Sequence, residues 1–324
     1  MDSMLDIIKA RPLPLEQLRR IRDDIRDDIR ATKINVLLVG GTGVGKSSTI
    51  NALFENNGLE ATAEIGQSAK PETMDISAHE MDNLIIWDTP GLGDSPEKDR
   101  KHQNQIISLL QEKDDKGQPL IDLVFLILDA GSRDFSSAFT LIKDIVLPNL
   151  HHDDRDRLLI GLNQADQAMK GHYWDRVNNR PENNLIERLE ELVKTVKDRI
   201  KADTDLNVEP IYYSAGCVMD GEVLSHPYNL QKLLSFIMDR LPKKKRAAIA
   251  LHINEDEKNF EINDDKENYR EKVEKSILSS LLDYIKEVSS EVFQQVKEIA
   301  TDPDNIKTAL TLTARFLGNI ARKK

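Results

Sequence analysis

A single cysteine, Cys217, stands in 324 residues. No disulfide can close within the chain, so burial and hydrogen bonding must hold the fold, as in a reducing compartment. One cysteine also rules out the multi-cysteine spacings of structural zinc sites. Beside an apolar strand, Cys217 is expected to be a small core residue. No apolar run reaches the ~18 residues of a membrane span. The opening Met1-Asp2-Ser3-Met4-Leu5-Asp6 lacks the basic and apolar regions of a signal peptide, and a cytosolic protein is expected. Excess basic charge is missing as well. Lysine and arginine number 45 against 56 aspartates and glutamates, a net charge of −11. That balance disfavours a nucleic-acid coat, which needs a basic footprint.

What is present suits a soluble α/β protein. Apolar residues make up 39% and charged residues 31%. At this length one main domain with an appendage is expected, because single cores stop growing near ~250–300 residues. Leu15, Leu18, Ile21, Ile25 and Ile29 recur at three- and four-residue steps, the apolar face of an amphipathic helix. From Lys33 the pattern changes to short apolar runs: 34–39, 84–87, 123–128, 158–162 and 210–213. Helical patterns separate them at 103–111, 136–146, 185–200 and 230–241. Strands alternating with helices imply βαβ units and a mostly parallel sheet, six-stranded once residues 73–79 are counted as an antiparallel edge. The expected organisation is an N-terminal helical segment (1–32), an α/β domain (33–242), a charged linker (243–266) and a C-terminal helical region (267–324). The basic run Pro242-Lys243-Lys244-Lys245-Arg246 suits the end of a helix, where cations complement the dipole. A long helix is expected over 267–300. The terminal helices are expected to pack together, since each has one apolar face and neither is stable alone.

Four short motifs carry chemistry. Gly40-Gly41-Thr42-Gly43-Val44-Gly45-Lys46-Ser47 matches G-x-x-x-x-G-K-[ST] and lies between a strand and a helix, the context that gives the motif meaning. Its backbone N–H groups would curl around phosphates, with the start of the helix carrying on to Ser48. Lys46 would reach the β- and γ-phosphates, and Ser47 would ligate Mg²⁺. Asp88-Thr89-Pro90-Gly91 ends the second core strand. Asp88 would hold Mg²⁺ through water, and the Gly91 N–H would meet the γ-phosphate. Asn163-Gln164-Ala165-Asp166 follows the fourth core strand. The Asp166 carboxylate would accept from N1–H and the exocyclic amine of guanine together, a donor pair that adenine lacks. Ser214-Ala215-Gly216, after the last strand, would offer its backbone to the guanine O6.

In order and strand context these motifs resemble the translation-factor class of P-loop GTPases over residues 33–241. The Asp-Thr-Pro-Gly form is similar to the Era, septin, dynamin and Toc side of that class, and Asn-Gln-x-Asp resembles bacterial Era-like members. The resemblance implies a GTPase domain that takes GTP or GDP with Mg²⁺. It also implies a switch I threonine on the γ-phosphate and Mg²⁺, for which Thr73 is chosen ahead of Thr62 and Ser68, and a switch II over residues 89–94. Lys46, Thr73 and Gly91 are then the residues that assist hydrolysis. Three positions depart from the pattern. Gln164 replaces the usual lysine, Leu92 stands where Ras-like proteins carry glutamine, and Gly43 stands where potassium-activated members carry asparagine. Leucine cannot orient the attacking water, so slow intrinsic hydrolysis is expected, on the order of 10⁻⁴ to 10⁻² per second. The missing group would come from a second copy, a partner, or Arg133, although Arg133 is better read as pairing with Asp134 or capping a helix.

Three functions follow. The first is a molecular switch completed by a homodimer through the nucleotide face or by a protein activator. The second is a membrane-surface effector of dynamin or immunity-related type, using the basic amphipathic pattern after Asp302. The third is a nucleotide-binding scaffold with negligible hydrolysis. Nucleic acid is not an expected partner.

Overall fold

The computed structural model describes residues 15–54, 76–89, 96–132, 134–150, 152–219 and 222–290. Helix α1 (Leu15–Ala31) leads into β1 (Ile34–Val39), followed by α2 (Lys46–Leu53), β2 (Ser77–Met81), β3 (Leu84–Asp88) and α3 (Pro96–Gln111). β4 (Leu123–Asp129) comes next. Helix α4 (Ser136–Leu141) then passes through a π turn (Ile142–Val146) before β5 (Leu158–Asn163). A small hairpin, β6 (Trp174–Asp175) and β7 (Arg180–Pro181), precedes α5 (Asn183–Thr204) and β8 (Ile211–Tyr212). A second ribbon, β9 (Cys217–Met219) with β10 (Glu222–Ser225), leads to α6 (Leu230–Arg240). Among the described residues the last elements are α7 (Lys245–Ile249), α8 (Lys258–Glu261) and α9 (Tyr269–Val288).

The main sheet has six strands in the order β2-β3-β1-β4-β5-β8. Every pairing is parallel except β2 with β3; the antiparallel edge expected over 73–79 runs over Ser77–Met81, and residues 73–75 lie outside the described residues. All six residues of β1 are buried, because helices cover both faces of the sheet. Val36 and Leu38 enter one core with Ile25 and Ile29 of α1, Ile50 and Leu53 of α2, and apolar residues of α6, α7 and α9. Leu37 and Val39 point the other way, among Ile106 and Leu109 of α3 and Leu185 and Leu189 of α5. Burial of each such side chain stabilises the fold by roughly 1.5–3 kcal/mol.

The start of the charged stretch 243–266 packs into the core, while most of residues 255–266 are exposed or half-buried. Ala247, Ala248 and Ile249 of α7 are fully buried. The basic run is taken up by ion pairs within the chain: Lys243 with Asp283 (2.8 Å), Lys244 with Glu287 (2.6 Å), and Lys245 with Asp122 (2.7 Å). Arg246 reaches Ser276 and the Leu241 carbonyl. The helix expected over 267–300 stops at Val288, where Ser289 takes extended backbone (φ −153°, ψ 109°). Its start is capped by Asn268, which accepts the Glu271 N–H. α1 and α9 do meet: Tyr284 and Ile285 share the core with Ile25 and Ile29, and the Thr32 and Tyr284 hydroxyls are 2.8 Å apart.

Cys217 corrects an expectation. It is exposed rather than in the core. At Ser214 the chain leaves the sheet to pair with Tyr228, which carries the next residues into the β9–β10 ribbon. The two tryptophans pack and hydrogen-bond within the fold. Trp87 Nε1 donates to Asn35 Oδ1 (3.0 Å), and Trp174 sits edge-on to Tyr228. Among the described residues no helix is long and apolar enough to cross a membrane.

Candidate functional site

The phosphate-loop motif occupies the turn between β1 and α2. Gly43 (φ 79°) and Gly45 (φ 84°) both take left-handed backbone, which turns successive N–H groups toward one concavity. Gly45 precedes the first residue of α2, so the positive end of that helix adds to the same concavity. A Cβ at Gly45 would stand 2.3 Å from Asn163 Nδ2, so only glycine fits. Ser47 and Ser48 lie exposed in the first turn of α2, open to a ligand, as Thr42 does in the turn itself. Lys46 folds over the loop, its Nζ donating to the carbonyls of Gly40 (3.1 Å) and Gly41 (3.3 Å).

β3 carries Asp88 to the same end of the sheet, because its register puts Asp88 opposite Leu38 of β1. Thr89 secures that end, with both its N–H and its hydroxyl donating to the Leu38 carbonyl. The Asp88 Oδ1 is buried, makes no hydrogen bond, and lies 4.0 Å from Lys46 Nζ. Burial raises the Asp88 pKa, with Lys46 and His79 opposing, and burial lowers that of Lys46, with Asp88 opposing. A buried carboxylate oxygen without a donor is costly unless a cation answers it. The oxygen donors of Asp88 and Ser47 match the hard-ligand preference of Mg²⁺, so these residues fit the metal that the motif implies.

The residues expected from the sequence to meet the base assemble around Asn163. Its Nδ2 donates to the Val44 carbonyl (2.9 Å) and its Oδ1 accepts the Ala215 N–H (3.0 Å), so one side chain ties the phosphate loop to the Ser214-Ala215-Gly216 loop. Gln164 adopts left-handed backbone (φ 60°), and its amide donates to the Gly43 carbonyl (2.8 Å). It therefore makes a tie to the phosphate loop in place of the usual lysine. The Asp166 Oδ1 accepts the Ser214 hydroxyl at 2.7 Å, which holds the carboxylate beside the Ser214 loop. Gly216 (φ 75°) packs against the Ser225 carbonyl and Pro227, turning the chain away from the site.

Gly41, Thr42, Gly43, Val44, Gly45, Lys46, Ser47, Ser48, Asp88, Asn163, Gln164, Asp166, Ser214, Ala215 and Gly216 thus gather at the ends of β1, β3, β5 and β8. Thr62, Ser68, Thr73, Pro90, Gly91, Leu92 and Arg133 lie outside the described residues. Sequence reading missed two participants. Gln167 donates to Asp166 Oδ2 (2.7 Å), and Thr49 meets the Tyr213 hydroxyl (2.9 Å) beneath the loops. Asp166-Gln167 adjacency was visible in the sequence; the contact between Thr49 and Tyr213, 164 residues apart, left no local signal.

Comparison with known proteins agrees with this geometry. Residues 35–164 match the family model described as 50S ribosome-binding GTPase. The chain is 36% identical over 110 residues to Translocase of chloroplast 101 and 37% identical over 100 residues to Translocase of chloroplast 108, both from Physcomitrium patens. Those stretches are 34% and 31% of this chain but span only 12% and 10% of the translocases. It is 29% identical over 178 residues to a probable GTP-binding protein EngB of Mycoplasmoides gallisepticum, covering 54% of this chain and 82% of the relative. The solved structure of Toc33 from Arabidopsis thaliana in complex with GDP and Mg²⁺ is a distant likeness. Its identity is 16% and its TM-score 0.39, over 69% of this chain and 90% of that one. Residues 35–164 are thus similar to that GTPase family, and the six-stranded, mostly parallel sheet from β1 to β8 has the α/β arrangement of a P-loop GTPase G domain.

Proposed function

We propose that the protein binds GTP and GDP with Mg²⁺ and hydrolyses GTP slowly, as a switch completed by a second copy or an activating partner. The observation that carries this reading is the Asn163 bridge. It holds a phosphate-binding loop and a carboxylate suited to guanine in one frame, with 2.9 Å and 3.0 Å contacts on its two sides. Lys46 and the first turn of α2 would hold the β- and γ-phosphates. Asp88 and Ser47 would hold the metal, which supplies positive charge to the phosphates when bound. Asp166 would read the base, and the Gly91 N–H and Thr73 would meet the γ-phosphate.

Within the class we place the chain on the Era and Toc side, on the strength of Asp88-Thr89-Pro90-Gly91 and Asn163-Gln164-Ala165-Asp166. Leu92 supports the slow, assisted mechanism, since an aliphatic side chain cannot orient water. The test is GTP turnover per molecule across protein concentration, with ATP as control. A specific rate that climbs with concentration supports completion by a second copy through the nucleotide face. A flat, slow rate assigns completion to a different partner. Absence of turnover at any concentration, with GTP bound, would leave a binding scaffold.

A further inference from the structure

Tyr213 is fully buried and precedes the Ser214 loop, yet its hydroxyl lies beneath the phosphate loop. Its backbone belongs to the base side. The Tyr213 N–H donates to the Leu162 carbonyl (2.9 Å), and its carbonyl accepts the Ala165 N–H (3.1 Å), one residue before Asp166. Its side chain crosses β5 to reach α2, and Gly161 makes room for it. A Cβ at Gly161 would stand 2.7 Å from Tyr213 Cε1 and 2.9 Å from Phe125 Cε2. The ring ends at Thr49, 2.9 Å away, and the Thr49 hydroxyl is 2.7 Å from the Gly45 carbonyl.

The direction of this chain is fixed. A carbonyl only accepts, so Thr49 spends its single proton on Gly45 and must accept from Tyr213. Burial raises the pKa of the phenol, so it keeps the proton that it donates. The result is a relay of two hydrogen bonds running from the backbone beside Asp166 to Gly45, the last residue before α2.

We propose that Tyr213 is a positioning residue that, through Thr49, fixes the distance between the base-recognition loop and the phosphate loop and so makes the affinity for a diphosphate nucleotide depend on both ends at once. This deepens the reading of the site as a guanine-nucleotide pocket and rests on it. Asn163, itself buried, already ties the two loops directly; the Tyr213–Thr49 relay ties them a second time through the apolar core. Low-dielectric surroundings strengthen such a relay and make its loss felt.

The experiment is competition of GDP and GMP against a fluorescent GDP analogue, up to millimolar competitor, with the full chain and Mg²⁺. GMP lacks the β-phosphate that the turn at Gly45 would hold. Tyr213→Phe keeps the ring and removes only the hydroxyl. It is expected to weaken GDP roughly three- to tenfold, the range of one buried hydrogen bond, while GMP stays within about twofold. Thr49→Val is expected to repeat that pattern, which covers the case of a Tyr213 variant that does not fold. Thr49→Ser keeps the hydroxyl and is expected to retain GDP affinity. An unchanged GDP affinity, or equal loss for GDP and GMP, would overturn the positioning role. Failure of the unaltered protein to bind GDP would instead overturn the parent reading.

Discussion

Asp88 Oδ1 stands 4.0 Å from Lys46 Nζ, buried and without a hydrogen bond. The two groups offset each other's charge, yet each keeps a pKa shifted toward its neutral form because burial outweighs the attraction. Under the proposed function such a pair would receive charge from outside: phosphate oxygens for Lys46, a divalent cation for Asp88.

Asp88→Asn is therefore expected to abolish most of the gain in GDP affinity that Mg²⁺ gives, while Mg²⁺-free binding changes little. The check is GDP titration with excess EDTA and with Mg²⁺. The carboxylate must be ionised to serve the metal, and its pKa lies above the ordinary 3.8. The Mg²⁺-dependent gain should accordingly fade on acidification at higher pH than an ordinary aspartate would give. Loss of binding in EDTA as well would show that Asp88 acts on the fold instead.

Asp166→Ala removes the carboxylate that would accept two donors from guanine. Hydrogen bonds to a charged group contribute ~1.5–3 kcal/mol, so GDP affinity should fall by roughly 10–100-fold. ADP, which lacks the donor pair, should be unaffected, and competition titration compares the two. Equal effects on both bases would remove Asp166 from base recognition. Ser214→Ala should reproduce a small part of the loss, since its hydroxyl orients the carboxylate at 2.7 Å.

Asp122 accepts both Lys245 Nζ (2.7 Å) and the Asn35 N–H (2.8 Å), with its side chain only 3% exposed. Lys245→Ala leaves that carboxylate buried without its ion-pair partner, with only the more weakly acting Arg157 charge remaining, and breaking such a pair costs about 3–5 kcal/mol. The pH dependence has a definite sign. Burial raises the Asp122 pKa in the folded state above 3.8, so the folded protein binds the proton more readily than the unfolded chain. This carboxylate's contribution to stability falls as pH rises through the window above 3.8. Without Lys245 the window widens, so the variant should recover part of its loss on acidification. Urea unfolding at neutral and mildly acidic pH measures both effects; a variant with unchanged midpoints would contradict the assignment.

Ile29 of α1 is fully buried against the same core as Tyr284 and Ile285 of α9. Ile29→Ala is expected to cost about 2–5 kcal/mol, as for other large-to-small changes in a packed core. A cost below ~1 kcal/mol in urea unfolding would show that α1 is not an integral layer of the domain.

Much of this was legible in the sequence because its signals are local. The five core strands are continuous apolar runs, the signature of strands buried on both faces, and they fell within a residue or two of their expected ends. The motif at Gly40–Ser47 is legible because glycines at left-handed positions and a lysine follow one another over a few residues, and Asn163–Asp166 because an amide and a carboxylate stand three residues apart directly after a core strand. Distant partners were not legible. Lys243, Lys244 and Lys245 read as a helix end because their partners Asp283, Glu287 and Asp122 are far away in the chain. Cys217 read as core because the run before it is core; the exit of the chain at Ser214 depends on pairing with Tyr228, which no local pattern encodes. Tyr213 read as one more apolar strand residue, although its hydroxyl has a buried partner in α2.

The central assignment is that one pocket recognises guanine and phosphate together. Its most direct test is calorimetric titration of the full chain with GDP and with ADP, each in Mg²⁺. The assignment predicts saturable one-to-one binding of GDP at least about 100-fold tighter than ADP, from the charge-assisted pair at Asp166. Equal affinity for the two, or no binding of GDP, would contradict it.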